Sequence, residues 1–380
     1  MDALPRANTS VPHLCPLAVA LLAALFAWRS CCPLLAAQVM TVAQRGDREP
    51  LAVATWDHGN TLLALQTDGS QYRAPTPGGH PAEALTIIKP FGIVVLCGGQ
   101  PFLLSWAEPT LEHNLVPGGP RDVRSIVGVG DNRFVAISGG HYTGSLLKGA
   151  HASLWELLPR CRKLSDAIPP QVNPQSATAG SFGDNAGGEN ALGVTDCVMF
   201  SVYKSAILDP TVRLRPWLYR VAGERLAALW QGSSFSQPHL AVAFADLCRR
   251  NSGDEVCALE LTRDGQRQIT VYRWHGFIME GIARSRPGPF GNSLRAASLG
   301  TEAGEAIFTW RGADEGCIIG QTAAEWPEGE LASLRQCAST EQMPRPLAWD
   351  IGSLDGKPVA FVLTGDGVLR AVPIRLETPK

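Results

Sequence analysis

The sequence predicts an all-β chain: a β-propeller of about seven blades, preceded by an amino-terminal membrane-anchor or signal helix. Three observations predict it. Short apolar runs bounded by Gly, Asp or Asn recur along the chain, helical patterning is almost absent after residue 43, and one uncharged stretch near the start stands apart. On this reading residues 1–43 form a tail with an export element, and residues 44–380 form the propeller.

The clearest repeat copy is residues 240–265, LAVAFADLCRRNSGDEVCALELTRDG, with an apolar run at each end and a polar turn between. It aligns with residues 51–69, LAVATWDHGNTLLALQTDG, and residues 347–367, LAWDIGSLDGKPVAFVLTGDG. Looser copies start at 85, 123, 192 and 294, so the seven starts are spaced by about 49 residues, close to the roughly 40 to 50 of a four-stranded blade. Val, Ile, Leu, Phe and Ala dominate the runs, and Gly, Asp and Asn supply the positive φ angles of tight hairpins. Further strands are expected at 152–159, at 268–278 and at 217–232, the last around a Gly223-Glu224 turn. The best helical candidate is only residues 330–336. Residues 161–190, with their Pro, Asn, Gly and Ser and no periodicity, read as a long surface-loop insertion.

The uncharged stretch is residues 11–28, VPHLCPLAVALLAALFAW. Its length is near the minimum of roughly 17 residues that crosses a bilayer core, and its unbroken part also suits a signal-peptide apolar region. A retained anchor and a cleaved signal both fit. The nearest small-x-small site ends at Ala37, with Leu35 ill-suited at its third-last position. Arg6 and Arg29 flank the run and give the positive-inside rule little leverage. A turn-rich body behind such a run is expected outside the cytoplasm, membrane-anchored or secreted.

Composition narrows the function. The net charge is -2 with only 18% charged residues, and the arginines are scattered, so the basic stripe needed for nucleic acid is missing. Seven cysteines lie in the body: Cys97, Cys161, Cys197, Cys248, Cys257, Cys317 and Cys337. An odd number leaves one unpaired, and no CxxC occurs. Cys248 with Cys257 is the disulfide the sequence favours, because the two flank one polar turn.

The same turn has the look of a calcium loop, with Asp246, Asn251 and Asp254 as its candidate ligands. A D-x-D-x-D-G loop delivers carboxylates at alternate positions, but here Cys248 and Arg250 occupy those positions. The grammar of strand, Asp246, Gly253-Asp254-Glu255, strand and Tyr272-Arg273-Trp274 resembles the FG-GAP or VCBS-type repeats of β-propellers. The resemblance covers about residues 47–380 and implies a propeller fold, calcium in the turns, and extracellular recognition. Because the ligand pattern departs from the family's, neither a metal nor a cofactor is expected.

Enzyme signatures are lacking: no G-x-S-x-G, H-E-x-x-H, P-loop or dinucleotide fingerprint occurs. Adjacent acids such as Asp254 and Glu255 point to opposite faces of a strand. Trp230, Trp274, Trp310 and Trp326 lie near strand ends, where they pack between blades or ring a binding face. The expected function is a non-enzymatic, exported scaffold that binds a protein or an envelope polymer. The alternative is a carbohydrate-active or redox enzyme with its site over the central channel.

Overall fold

The computed structural model describes residues 39–41 and 52–377, apart from 67–68, 90–91, 108–109, 183–195, 233, 249–252, 300–303, 324, 328 and 356. The apolar segment 11–28 lies outside the described residues. Among those described, no helix is long and apolar enough to cross a membrane.

The body is a succession of antiparallel meanders. The first comprises Val39–Thr41, Ala52–Trp56, Thr61–Leu65 and Gln71–Pro75, and the second Ala82–Ile88, Gly92–Cys97, Gln100–Ala107 and Thr110–Leu115. The third comprises Val123–Gly128, Arg133–Thr143, Leu146–Glu156 and Arg162–Ile168, and the fourth Pro174–Gly180, Cys197–Ala206, Asp209–Ala222 and Arg225–Gln231. The fifth comprises His239–Ala245, Glu255–Leu261, Arg267–Trp274 and Met279–Arg284, and the sixth Arg295–Ser298, Glu305–Gly312, Glu315–Ala323 and Ala332–Ser339. The seventh has three strands, Ala348–Leu354, Lys357–Leu363 and Leu369–Pro373. The outermost strands of the fifth and sixth meanders also pair in parallel, Ala283 with Ala332 and Arg284 with Ser333.

Each meander packs face to face on the next. Val53 shares a buried cluster with Val95 of the second meander, Val94 with Phe134 of the third, and Ile137 with Phe200 of the fourth. Met199 clusters with Val256, Val271 with Ile307, and Phe308 with Ala360. The series closes where Phe361 of the seventh meander joins Leu63 of the first. First strands follow the same order: each touches the first strand of the next meander, and Ala348–Leu354 touches Val39–Thr41. Inner strands such as Gly92–Cys97 and Glu255–Leu261 are therefore buried on both faces, which is why they read as continuous apolar runs rather than an alternation.

Several sequence expectations are corrected. The copy at 51 is the second and third strands of its meander, whereas the copies at 240 and 347 are first and second strands, so the repeat alignment slips by one strand. The first strand, Val39–Thr41, is too short to register, and Pro174–Gly180, which starts the fourth meander, is PQSATAG without a large apolar residue. The copy at 192 is accordingly the second strand of the fourth meander. The span 161–190 is not one loop, since Arg162–Ile168 and Pro174–Gly180 are strands within it. The helical candidate at 330–336 is a strand too: Ala332 and Leu334 are buried while Ser333 and Arg335 are exposed, a period of two.

Candidate protein-binding surface

The turn that resembles a calcium loop joins the first two strands of the fifth meander. Asp254 bonds Ser181, which follows the first strand of the fourth meander, through both its carboxylate and its backbone. Glu305 of the sixth meander accepts the Asp246 N–H at 2.8 Å. Glu255 accepts the N–H groups of Leu247 and Cys248 at 3.0 and 3.1 Å. These acids thus tie turns and neighbouring meanders together. Burial raises the pKa of Asp254 and of Glu305, and pushes that of Glu255 up to about 7. Asn251 lies outside the described residues, and among those described no group of His, Cys, Asp and Glu is arranged to hold a metal ion. The register sets Cys257 opposite Ala243, and Cys248 lies beyond the end of that strand. Both are buried, and no disulfide joins them.

One Ser–His contact also forms, with Ser201 Oγ 2.9 Å from His239 Nε2. Both residues are buried, and His239 Nδ1 has no hydrogen-bond partner, so no acid orients the ring as nucleophilic catalysis requires. Burial holds the imidazole neutral, with a pKa of about 4. The pair pins the fourth meander to the fifth.

A concave surface lies along the same seam. Trp230 closes the fourth meander, Phe235 lies in the segment leading to the fifth, and Tyr272 stands on the third strand of the fifth. Their rings form a series, with centroids 6.3 Å apart from Trp230 to Phe235 and 4.7 Å from Phe235 to Tyr272, the latter pair stacked. With Ile278, Met279 and Leu331 they line a groove of about 420 Å³. At its rim Ile278 and Leu331 are exposed, and neighbouring Phe277 is 78% exposed.

A buried carboxylate fixes these walls. Glu260 is fully buried and accepts from Thr270 Oγ1 and Tyr272 Oη at 2.6 Å each, from Ser236 Oγ at 3.0 Å and from the Gln237 N–H at 3.1 Å. Tyr272 Oη in turn accepts the Ser236 N–H at 2.9 Å. The segment carrying Phe235 is thereby bonded to the strand carrying Tyr272, so the groove is formed before anything enters it. Gly276, at φ 81°, turns the chain, and the His275 N–H to Ile278 carbonyl bond of 3.0 Å projects Phe277 outward. Two large apolar residues in a tight turn were the only local signal of this rim.

A second exposed apolar feature is the tip of the Cys197–Ala206 and Asp209–Ala222 hairpin, where Ile207 and Leu208 are fully exposed. Beneath it Arg215, 1% exposed, donates to the carbonyls of Lys204, Asp209 and Thr211 at 2.8, 3.0 and 2.8 Å. Of the tryptophans picked out in the sequence, Trp274 and Trp310 are core residues. Trp326 packs against the core beside Cys248 and Arg273 in a further cleft, and Trp230 alone reaches the groove.

No family model matches the chain, and no curated protein matches it either. Solved structures do. A chain of the mitotic checkpoint complex matches with a TM-score of 0.51 at 10% identity, over 98% of this chain and 96% of that one. BBS1N, in complex with ARL6DN, matches with 0.52 at 10% identity, over 89% and 91%. Streptogramin B lyase matches with 0.50 at 10% identity, over 92% and 96%. The fold is that of a β-propeller. At this identity the likeness shows the fold alone.

Proposed function

We propose that the chain is a non-enzymatic, seven-bladed propeller that binds a partner protein, with the groove between the fourth and fifth meanders receiving an apolar segment of that partner. The observation that carries this is the exposure of Phe277, Ile278 and Leu331 around a preformed aromatic groove. Soluble surfaces rarely leave such a cluster open unless something covers it, and aromatic anchors in pockets dominate binding energy. Two of the similar structures, a mitotic checkpoint complex and BBS1N in complex with ARL6DN, are assemblies, which supports a protein as the occupant. The uncharged segment 11–28 supports export, by a retained anchor or a cleaved signal, to a site outside the cytoplasm. Kinship with FG-GAP-type repeats rests on the hairpin 240–265.

The test is a photo-cross-linking residue placed at Phe277 and, as a control, at exposed Glu112 of the second meander. A stoichiometric protein adduct at 277 and none at 112 is expected. Equal yields at the two positions would remove the groove from the account. The enzyme reading draws on Asp254 and Glu305, whose pKa values burial raises, with a smaller push from the charge of Asp246 on each. It would gain ground if Asp254→Asn abolished turnover of a glycoside and left the fold intact.

A further inference from the structure

A second cleft, of about 450 Å³, lies on the other side of the fifth meander, at its seam with the sixth. The groove described above is reached from the face carrying Thr270 and Tyr272. The alternate residues Ile269 and Val271 face the sixth meander instead. The two sites are therefore separate surfaces.

Three arginines on different segments line this cleft: Arg286 after the last strand of the fifth meander, Arg311 on the second strand of the sixth, and Arg335 on its fourth. All three are exposed and no acidic side chain lines the cleft. Among the described residues only Arg311 of the three is engaged within it, donating from Nη1 to Gln336 Oε1 at 3.2 Å, one of the five N–H groups a guanidinium offers. At the base sits Gln321, 5% exposed, whose Oε1 has no hydrogen-bond partner. A buried amide oxygen left unpaired is costly, so such atoms in native proteins are normally completed by something. Phe290 and Leu334 supply apolar walls, which strengthen charge interactions nearby.

We propose that this cleft binds an acidic polypeptide segment, with an oxyanion of its side chains held by Arg286, Arg311 and Arg335 and a main-chain N–H donating to Gln321. Guanidinium forks match carboxylate and phosphate oxygens bidentately, which a lysine cluster would not do. The volume exceeds that of a lone inorganic oxyanion, and an oxyanion fully ionised among three guanidinium groups has no proton to give Gln321. A peptide has both the acceptor and the donor. The net charge of -2 gives no general attraction for nucleic acid, so the local cluster must be read as serving a local ligand.

The test uses the full chain and fluorescence anisotropy with labelled peptides: a glutamate-rich peptide, its glutamine counterpart, and a phosphoserine peptide. Binding of the acidic peptides but not the glutamine one is expected, with affinity falling as salt rises. Tighter binding of the phosphoserine peptide assigns the oxyanion as phosphate, and equal binding assigns carboxylate. The double variant Arg311→Glu, Arg335→Glu should weaken binding roughly tenfold or more, and Gln321→Leu several-fold, while Phe277→Ser leaves it unchanged. Full binding by the double charge reversal, with its circular dichroism unaltered, overturns the proposal. So does displacement by inorganic phosphate as effective as by peptide, or tighter binding of a single-stranded oligonucleotide than of either acidic peptide.

Discussion

Ser181 and Asp254 bond each other twice: the Ser181 N–H donates to Asp254 Oδ2 at 2.7 Å, and the Asp254 N–H donates to the Ser181 carbonyl at 2.6 Å. A carboxylate standing where a calcium loop would present a ligand is here the clasp between two successive meanders. Asp254→Ala leaves the Ser181 N–H without its acceptor and should destabilise the fold by about 1–3 kcal/mol. The check is the denaturant midpoint, with calcium or a chelator expected to leave the melting temperature of the unaltered chain where it was.

Among the described residues Arg215 is the largest fully buried side chain, and its bonds to three carbonyls hold the hairpin that carries Ile207 and Leu208. Arg215→Met keeps the bulk of the stem and orphans those acceptors, so a loss of about 3 kcal/mol or more is expected. Replacing the exposed Ile207 and Leu208 by Ser should leave stability within about 0.5 kcal/mol. Chemical denaturation of the two variants separates the clamp from the tip it supports.

His239 makes stability fall on acidification. Its pKa in the folded protein is about 4, depressed by burial from the ordinary 6.5. Between those values the unfolded chain binds a proton that the folded chain does not. The contribution is present above pH 6.5 and is lost as pH falls towards 4, at about 1.4 kcal/mol per pH unit. Glu255, raised to about 7, acts in the opposite sense over its own window. His239→Gln removes only the first effect, so its melting temperature should decline less steeply than that of the unaltered chain between pH 6.5 and 4.5. Parallel curves would contradict the buried, neutral histidine.

Ring closure rests on Phe361 of the seventh meander packing with Leu63 of the first. Phe361→Ala should cost about 3–5 kcal/mol, as for other buried aromatics. Hydrogen exchange should rise together in the first and seventh meanders, because one cluster serves both.

How much of this was legible in the sequence follows from where each signal sits. Strands such as Gly92–Cys97 and Lys357–Leu363 are buried on both sides, so their continuous apolar runs announced themselves. The phase of the repeat was hidden because Val39–Thr41 is three residues long and Pro174–Gly180 is small and polar. Acids and Gly around Asp254 mark a turn in either a metal loop or a clasp, and only the position of Ser181 distinguishes the two. Of the groove, only Trp230 and the apolar turn at Phe277 and Ile278 left a mark in the sequence. Trp230, Phe235, Tyr272, Ile278 and Leu331 come from three meanders and meet only because the sheets pack in order. Gln321 likewise gives no sign in sequence of lacking a partner.

Export can be tested independently of the groove. A reporter fused after Lys380 should be active only when it works outside the cytoplasm. Activity confined to the cytoplasm would contradict the placement proposed from residues 11–28.

The most direct measurement is the affinity for the protein captured at position 277, compared between the unaltered chain and the double variant Ile278→Ser, Leu331→Ser. Both side chains are exposed, so the melting temperature should not change, while affinity should fall by roughly tenfold or more. An unchanged affinity in the folded double variant would contradict the claim that this groove is the binding surface.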